Sequence, residues 1–424
     1  MPMLALLPPG WHGRITLRAS KAIVAAAAAV GSILLAAGCT SSGSPDSARQ
    51  LASTARSAAA FHGMAGLVAA AKREGWLNVI ALPSTWANYG AIMADFTALY
   101  GIKVNDVDPQ ASSAQELSAV RQLKGRSSAP DVVDVDSASA AAGAQAGYWA
   151  PYRVTAWNKI PTWAKSENGG YYAAYGGYMA IGYEPSLVKV APTTFKSLLR
   201  GQYRNQVAID GDPTQTRSAF YAVYAAALAN GGSLANITAG VNYFRGLTQA
   251  GNFVPVRGTP GTMLSGQTPI LIWWDYLLNS QVRPLVKNLK IVIPPDGVFQ
   301  NYYDQAISAS APHPAAARLW EEFLYSDEGQ NLFLQGSVRP IELRSMLAAG
   351  TYDWAAYHLL PKVPAGAVNQ LPTATEQATA DTDVTRLWPS VIPAAPGTAT
   401  ATGTATATPA GTVTGVAAAT ATAR

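Results

Sequence analysis

Apolar residues through the middle of the chain follow two periods in turn. A short run, Leu77-Asn78-Val79-Ile80-Ala81, follows a helical stretch ending at Lys72-Arg73-Glu74-Gly75, which predicts a first strand behind a glycine-capped helix. Ile92, Met93, Phe96 and Leu99 then recur at helical spacing over residues 87–100 and stop at Gly101, before a second strand over 102–107. Ser113 and Glu116 stand three apart, the spacing of a capping box, at the start of a helix closed by Gly125; Asp131-Val132-Val133-Asp134-Val135 reads as the third strand. Farther on the pattern predicts strands over 171–183, 207–210, 269–274, 290–294 and 302–308. Helices are expected over 217–229, 238–250, 314–325 and 327–335, with more helix to about Trp388. This alternation is the signature of an α/β protein with two lobes, each a mainly parallel sheet flanked by helices.

The ends of the chain differ from its middle. Arg14, Arg18 and Lys21 precede an apolar run over residues 22–37, an export signal too short for a comfortable transmembrane helix. Its ending, Leu34-Leu35-Ala36-Ala37-Gly38-Cys39, is similar to a bacterial lipobox. That resemblance implies cleavage before Cys39, lipidation of its thiol and a tether on the outer face of the cytoplasmic membrane; the other reading is an ordinary secretory signal that contains a cysteine. The expected organisation is a signal at 1–38, a flexible spacer at 39–62, a first lobe made of 63–177 and 300–392, a second lobe at 178–299, and a low-complexity Ala/Thr tail at 393–424, expected to be disordered.

Charge narrows the function. The formal net charge is +5, but residues 1–38 carry three basic and no acidic side chains, so the exported chain keeps only +2. With no Lys/Arg cluster beyond the signal, a nucleic-acid partner is not expected. One cysteine in the chain allows no disulfide and no thiolate metal site, and neither a metal nor a cofactor is expected. Signatures of nucleophilic, zinc-hydrolytic, phosphate-loop or dinucleotide chemistry are missing, and the four histidines lie away from the polar loops, so the chain does not read as an enzyme.

Ligands of open parallel sheets bind beyond the carboxyl ends of strands, so the loops there supply the candidate site. The first strand leads into Thr85, Trp86, Asn88 and Tyr89, the third into Asp136 and Ser137, and the strand at 207–210 into Asp212, Gln215 and Ser218. The strand at 269–274 ends on Trp274, Asp275 and Tyr276, and Tyr302 and Tyr303 open a later strand. Thr85, Asp136 and Asp212 could instead serve as helix N-caps, and of the two adjacent tryptophans Trp273 could be core while Trp274 merely lies on the surface. A tryptophan beside a carboxylate, as at Trp274 and Asp275, suits an organic ammonium.

Residues 70–81, 181–189 and 195–209, and the closing stretch 312–340 with AARLWEEFLYSDEGQNLFLQGSVRP, resemble the extracellular solute-binding proteins of ATP-driven importers. Within them the chain is most similar to the type II class that includes polyamine, ferric-iron and aminoethylphosphonate binders. Trp274-Asp275-Tyr276-Leu277 after a strand resembles the spermidine/putrescine branch. The resemblance implies a two-lobed type II periplasmic-binding-protein fold joined by hinge strands. It also implies a monomer that closes on a small solute and delivers it to an ABC permease in the membrane. The polyamine-like site would draw on Trp86, Tyr89, Ser137, Asp212, Trp274 and Asp275, with a ferric-iron or aminoethylphosphonate binder as the alternative. Asn301, Tyr302 and Tyr303 stand where polyamine binders place a Trp and an Asp, a departure that touches the second amine anchor.

Overall fold

The computed structural model describes residues 45–367 and 371–392. The expected signal, Cys39 and the tail at 393–424 lie outside them.

Among the described residues ten strands form in chain order: β1 (Trp76–Val79), β2 (Lys103–Asp106), β3 (Val132–Asp136), β4 (Trp149–Ala150), β5 (Tyr172–Tyr183), β6 (Val207–Ile209), β7 (Ile270–Trp274), β8 (Lys290–Val292), β9 (Gln300–Ser308) and β10 (Arg339–Pro340). β1 and β2 pair with each other, while the larger sheet runs β3-β9-β5-β7-β6, with β4 added on β9, and β8 and β10 on β5. β5 joins two groups of strands, β1 to β3 with β9 on one side and β6 to β8 on the other. Its first part, from Tyr172 to Tyr178, pairs with β9, and its last part, from Met179 to Tyr183, pairs with β7. All twelve of its residues are buried, as suits a strand covered on both faces. Gly177 in its middle leaves room for Tyr276, since a Cβ there would lie 2.4 Å from the tyrosine ring.

The sheets are mixed rather than mainly parallel. Among the described strands β1–β2 and β6–β7 pair in parallel; β9 runs against both β3 and β5, and β5 against β7 and β8. The long connecting strands return through the middle of the fold, so each sets its neighbours antiparallel to itself.

Helix Arg217–Ala229 packs against helix Thr238–Gln249 and behind β7, and its alanine-rich face lets the two helices approach closely. At the crossing Gly240 lies so near that a Cβ would meet the Val223 carbonyl at 2.1 Å. Helix Ala374–Leu387, expected to belong to the first lobe, packs both on helix Ser137–Gln145 and on helix Thr238–Gln249, so it spans the two groups of strands.

The described part of the expected spacer, 45–62, is folded. Helix Pro45–Thr54 and a 3₁₀ turn at Ala58–Phe61 place Ala52, Ala55, Ala58 and Phe61, spaced by threes, in the core. Buried Arg318 fixes this segment from below, its guanidinium donating to the carbonyls of Ala55 (2.8 Å), Ser53 (2.9 Å) and Pro314 (2.8 Å). Satisfying three carbonyls at once offsets the cost of burying the charge. No helix among the described residues is long and apolar enough to cross a membrane.

Candidate functional site

Between the two groups of strands lies a cavity of about 610 Å³. Its walls come mainly from segments that follow β1, β2, β3 and β6 at their carboxyl ends, completed by Arg257 to Pro260, Trp273 of β7, Tyr303 of β9 and Asp381 of helix Ala374–Leu387.

Acids outnumber bases in the lining. Glu116, Asp134, Asp136, Asp210 and Asp381 face two cations, Arg217 and Arg257. Asp134 sits at the centre of a hydrogen-bonded chain: Trp86 Nε1 donates to Tyr175 OH (2.7 Å), and Tyr175 OH donates to Asp134 Oδ2 (2.6 Å). From the other side Gln305 Nε2 donates to Asp134 Oδ1 (2.7 Å) and to Tyr89 OH (3.0 Å). Burial lifts the Asp134 carboxyl to about 7 against the lowering effect of the Tyr175 hydrogen bond. Glu116 accepts the backbone N–H of Asp134 (3.0 Å), and burial, with the Asp134 charge beside it, pushes its pKa well above the usual range. Asp210 accepts the Ser218 hydroxyl, and burial raises it to about 6. A cation nearby would lower all three again by favouring their charged forms.

Asp136 is both a cap and a wall. Its Oδ1 accepts the N–H groups of Ala138 and Ser139 (3.1 Å each) at the start of helix Ser137–Gln145, and Gln377 Nε2 reaches the same oxygen at 3.1 Å. Arg217 Nε stands 4.0 Å from Asp136 Oδ2 while its Nη1 pairs with Asp381 at 2.7 Å. Arg257 Nε donates to the Asp210 carbonyl (3.1 Å). Trp86, Trp273 and Tyr303 supply the ring surfaces, with Trp86 edge-on to Tyr303 at 5.5 Å.

Of the residues expected at the site, Thr85, Trp86, Asp136, Gln215, Ser218 and Tyr303 line this cavity. The rest lie elsewhere. Asn88 turns its amide to the Leu332 carbonyl (2.9 Å), and Tyr89 is buried behind the cavity against Gln305. Ser137 begins the helix that Asp136 caps. Asp212 closes an exposed turn by accepting the Thr214 N–H (2.8 Å) and borders a separate pocket of about 450 Å³ beside Trp388. Tyr302 is buried with its ring against Trp163, so the two adjacent tyrosines do not converge.

The largest correction concerns Trp274, Asp275 and Tyr276. Strand alternation carries Trp273 to the cavity and Trp274 into the core, where it packs against Tyr221 and stacks on Tyr276. Asp275 is wholly buried, ion-paired with Arg339, and accepts the N–H groups of Tyr178 (2.9 Å) and Tyr276 (3.0 Å). A carboxylate so committed offers no charge to a solute. Tyr276 backs the site through its edge contact with Trp86 at 5.7 Å.

Glu116, Asp134, Asp210, Arg217, Arg257, Trp273 and Asp381 line the cavity without having stood among the candidates. Asp210 and Arg217 were within reach, since they stand in the same stretch of chain as Asp212, Gln215 and Ser218. Glu116 does not cap its helix as its spacing from Ser113 suggests: the box is formed by Ser112 and Gln115, one position earlier.

Comparison with known proteins supplies a context for this cleft. The model of the bacterial extracellular solute-binding protein family matches residues 127–355, more than half of the chain. No curated protein matches it in sequence. Among solved structures it is similar to a ferric binding protein from Campylobacter jejuni, with 18% identity and a TM-score of 0.57 over 74% of this chain and 99% of that one. A spermidine/putrescine substrate-binding protein from Streptococcus pneumoniae matches with 15% identity and a TM-score of 0.55 over 74% and 99%. A periplasmic binding protein from Actinobacillus pleuropneumoniae, solved with fructose-6-phosphate, matches with 16% identity and a TM-score of 0.54 over 74% and 96%. At these identities the likeness establishes a shared fold, that of the two-lobed type II periplasmic binding proteins.

Proposed function

The chain belongs to the bacterial extracellular solute-binding protein family, and on that footing we propose that its cargo is a small organic cation of the polyamine type. As a solute-binding protein of the ABC-importer class it works outside the cytoplasm, takes up a small molecule and delivers it to a membrane permease. The observation that carries the choice of cargo is the charge of the cleft. Five carboxyl groups face two arginines, one arginine is already paired with Asp381, and three aromatic rings border the same space.

An ammonium group entering this cavity gains on both counts. Its charge offsets the desolvation that raises Asp134 and Asp210, and each desolvated contact with a ring face is worth about 1–2 kcal/mol. Micromolar capture, about 8 kcal/mol, is enough to favour a closed form over an open one. In this reading the first lobe contains β1 to β3 and the second contains β6 to β8; β5 and β9 connect them, and helix Ala374–Leu387 lies across both. The protein acts as a monomer and without chemistry, held to the outer face of the membrane by a lipid on Cys39.

Aminoethylphosphonate is the second reading, because Arg257 stands in the same cavity as the acids and could face a phosphonate. A ferric ion is less suited, since Tyr303 reaches the cavity but Tyr302 does not. Thermal shift with spermidine, putrescine, aminoethylphosphonate and ferric citrate separates the readings: the amines should raise the melting temperature. Stabilisation by ferric citrate alone would refute the cationic-solute reading.

A further inference from the structure

Helix Ala374–Leu387 forms part of the cleft wall, its start fixed by reciprocal bonds between Thr373 and Glu376. Two of its side chains, four residues apart and so on one face, engage the charged residues Asp136 and Arg217. Gln377, 2% exposed, donates to Asp136 Oδ1, and Asp381 Oδ1 pairs with Arg217 Nη1 at 2.7 Å. Tyr224 OH donates to the Glu376 carbonyl (3.3 Å) and Tyr221 OH to Gln377 Oε1 (3.4 Å), which ties the helix to the one that begins with Arg217. Asp136 is the other carboxylate near Arg217. Its oxygens already accept from Ala138, Ser139 and Gln377, and it stands off at 4.0 Å. Asp381 is therefore the carboxylate in direct hydrogen-bonding contact with the guanidinium, and Asp136 adds its charge from farther off.

We propose that Asp381 is a specificity-determining residue: by occupying Arg217 it withholds that guanidinium from anionic solutes and leaves the remaining carboxyl groups of the cleft to the cargo. An unpaired arginine in a cavity also lined by Thr214, Thr216 and Thr259 would be a good partner for a phosphate or carboxylate, whereas a paired one offers far less. The pair is partly exposed, so it is a modest interaction that the surrounding helix contacts hold in place. The inference rests on the cationic-solute reading for the advantage it confers, though not for the contact itself.

The test is calorimetric titration of wild type, Asp381→Asn and the double variant Arg217→Gln/Asp381→Asn with inorganic phosphate and with putrescine. Asp381→Asn keeps the shape of the side chain and removes its charge; Asp381→Ser serves if the first variant fails to fold. Phosphate should bind Asp381→Asn at least tenfold more tightly than wild type, and the gain should vanish in the double variant. Unchanged phosphate affinity, or a gain that survives loss of Arg217, overturns the proposal. Putrescine binding by wild type is read separately: its failure would sink the cationic-solute reading, while the phosphate gain alone decides the role of Asp381.

Discussion

Replacing Asp275 by Ala should unfold the protein more readily without abolishing solute capture. The carboxylate is wholly buried, pairs with Arg339 and accepts the N–H groups of Tyr178 and Tyr276. Arg339 is itself buried; what remains to it is the Pro361 carbonyl at 2.8 Å and the face of Tyr178 at 4.8 Å. Removing the acid thus leaves a buried cation short of its counter-charge and two backbone donors without their acceptor. Breaking a buried pair from one side costs about 3–5 kcal/mol. At about 2 °C per kcal/mol for a chain of this size, the melting temperature should fall by about 6–10 °C. Asp275→Asn, which retains an acceptor oxygen but not the charge, should fall less. Differential scanning calorimetry of both variants, with spermidine titrations at a temperature where each is folded, separates stability from binding. A variant that melts like wild type and has lost spermidine would refute the reasoning and make Asp275 a ligand group.

The two tryptophans of β7 should part in the same assays. Trp274→Ala opens a hole in the core and should cost about 3–5 kcal/mol by chemical denaturation, while Trp273→Ala should weaken amine binding about tenfold; the opposite assignment would invert the strand. Asp134, Asp210 and Asp304 are raised by burial to about 7, 6 and 7, so between pH 4 and 7 the folded chain holds protons that the unfolded chain has lost. Stability of the unliganded protein should therefore fall as pH rises through that window, and a melting temperature that rises from pH 5.5 to pH 8 would contradict it. Amine binding at pH 6 should release protons, visible as a dependence of the calorimetric heat on buffer ionisation enthalpy; no such dependence would mean that the cleft acids do not meet the ligand. Gly240→Ala drives a methyl group into the Val223 carbonyl and should destabilise by about 1–3 kcal/mol, measured by urea unfolding; a neutral result would mean that the two helices are less tightly packed than described.

The elements of the fold were legible where period and punctuation agree. Helix Arg217–Ala229 and helix Asp327–Gln335 match their expected bounds because their ends are clearly punctuated, by Thr216 and Asn230 in the first and by Ser326 and Gly336 in the second. Pairing direction was not legible, since a strand's own sequence does not say which neighbour returns beside it. Phase was the weak point of the site. In Trp273-Trp274 either residue could face the cleft, because β7 is covered on both faces and shows no polar side to fix the choice. Ser112/Gln115 and Ser113/Glu116 have the same spacing, and taking the second box hid a buried acid. Ala52, Ala55 and Ala58 looked like linker because small side chains carry little hydropathy, yet small size is what lets that segment pack on the core. Asp381 was out of reach altogether: it lies 164 positions beyond Arg217, and only the path of the last helix brings them together.

Native mass spectrometry of the protein purified from the organism that makes it, with the cleft still loaded, tests the central claim most directly. The account predicts that the dissociated ligand is a small protonated amine, held by wild type and displaced by excess spermidine. Recovery of iron, or of a purely anionic solute that spermidine does not displace, would contradict it.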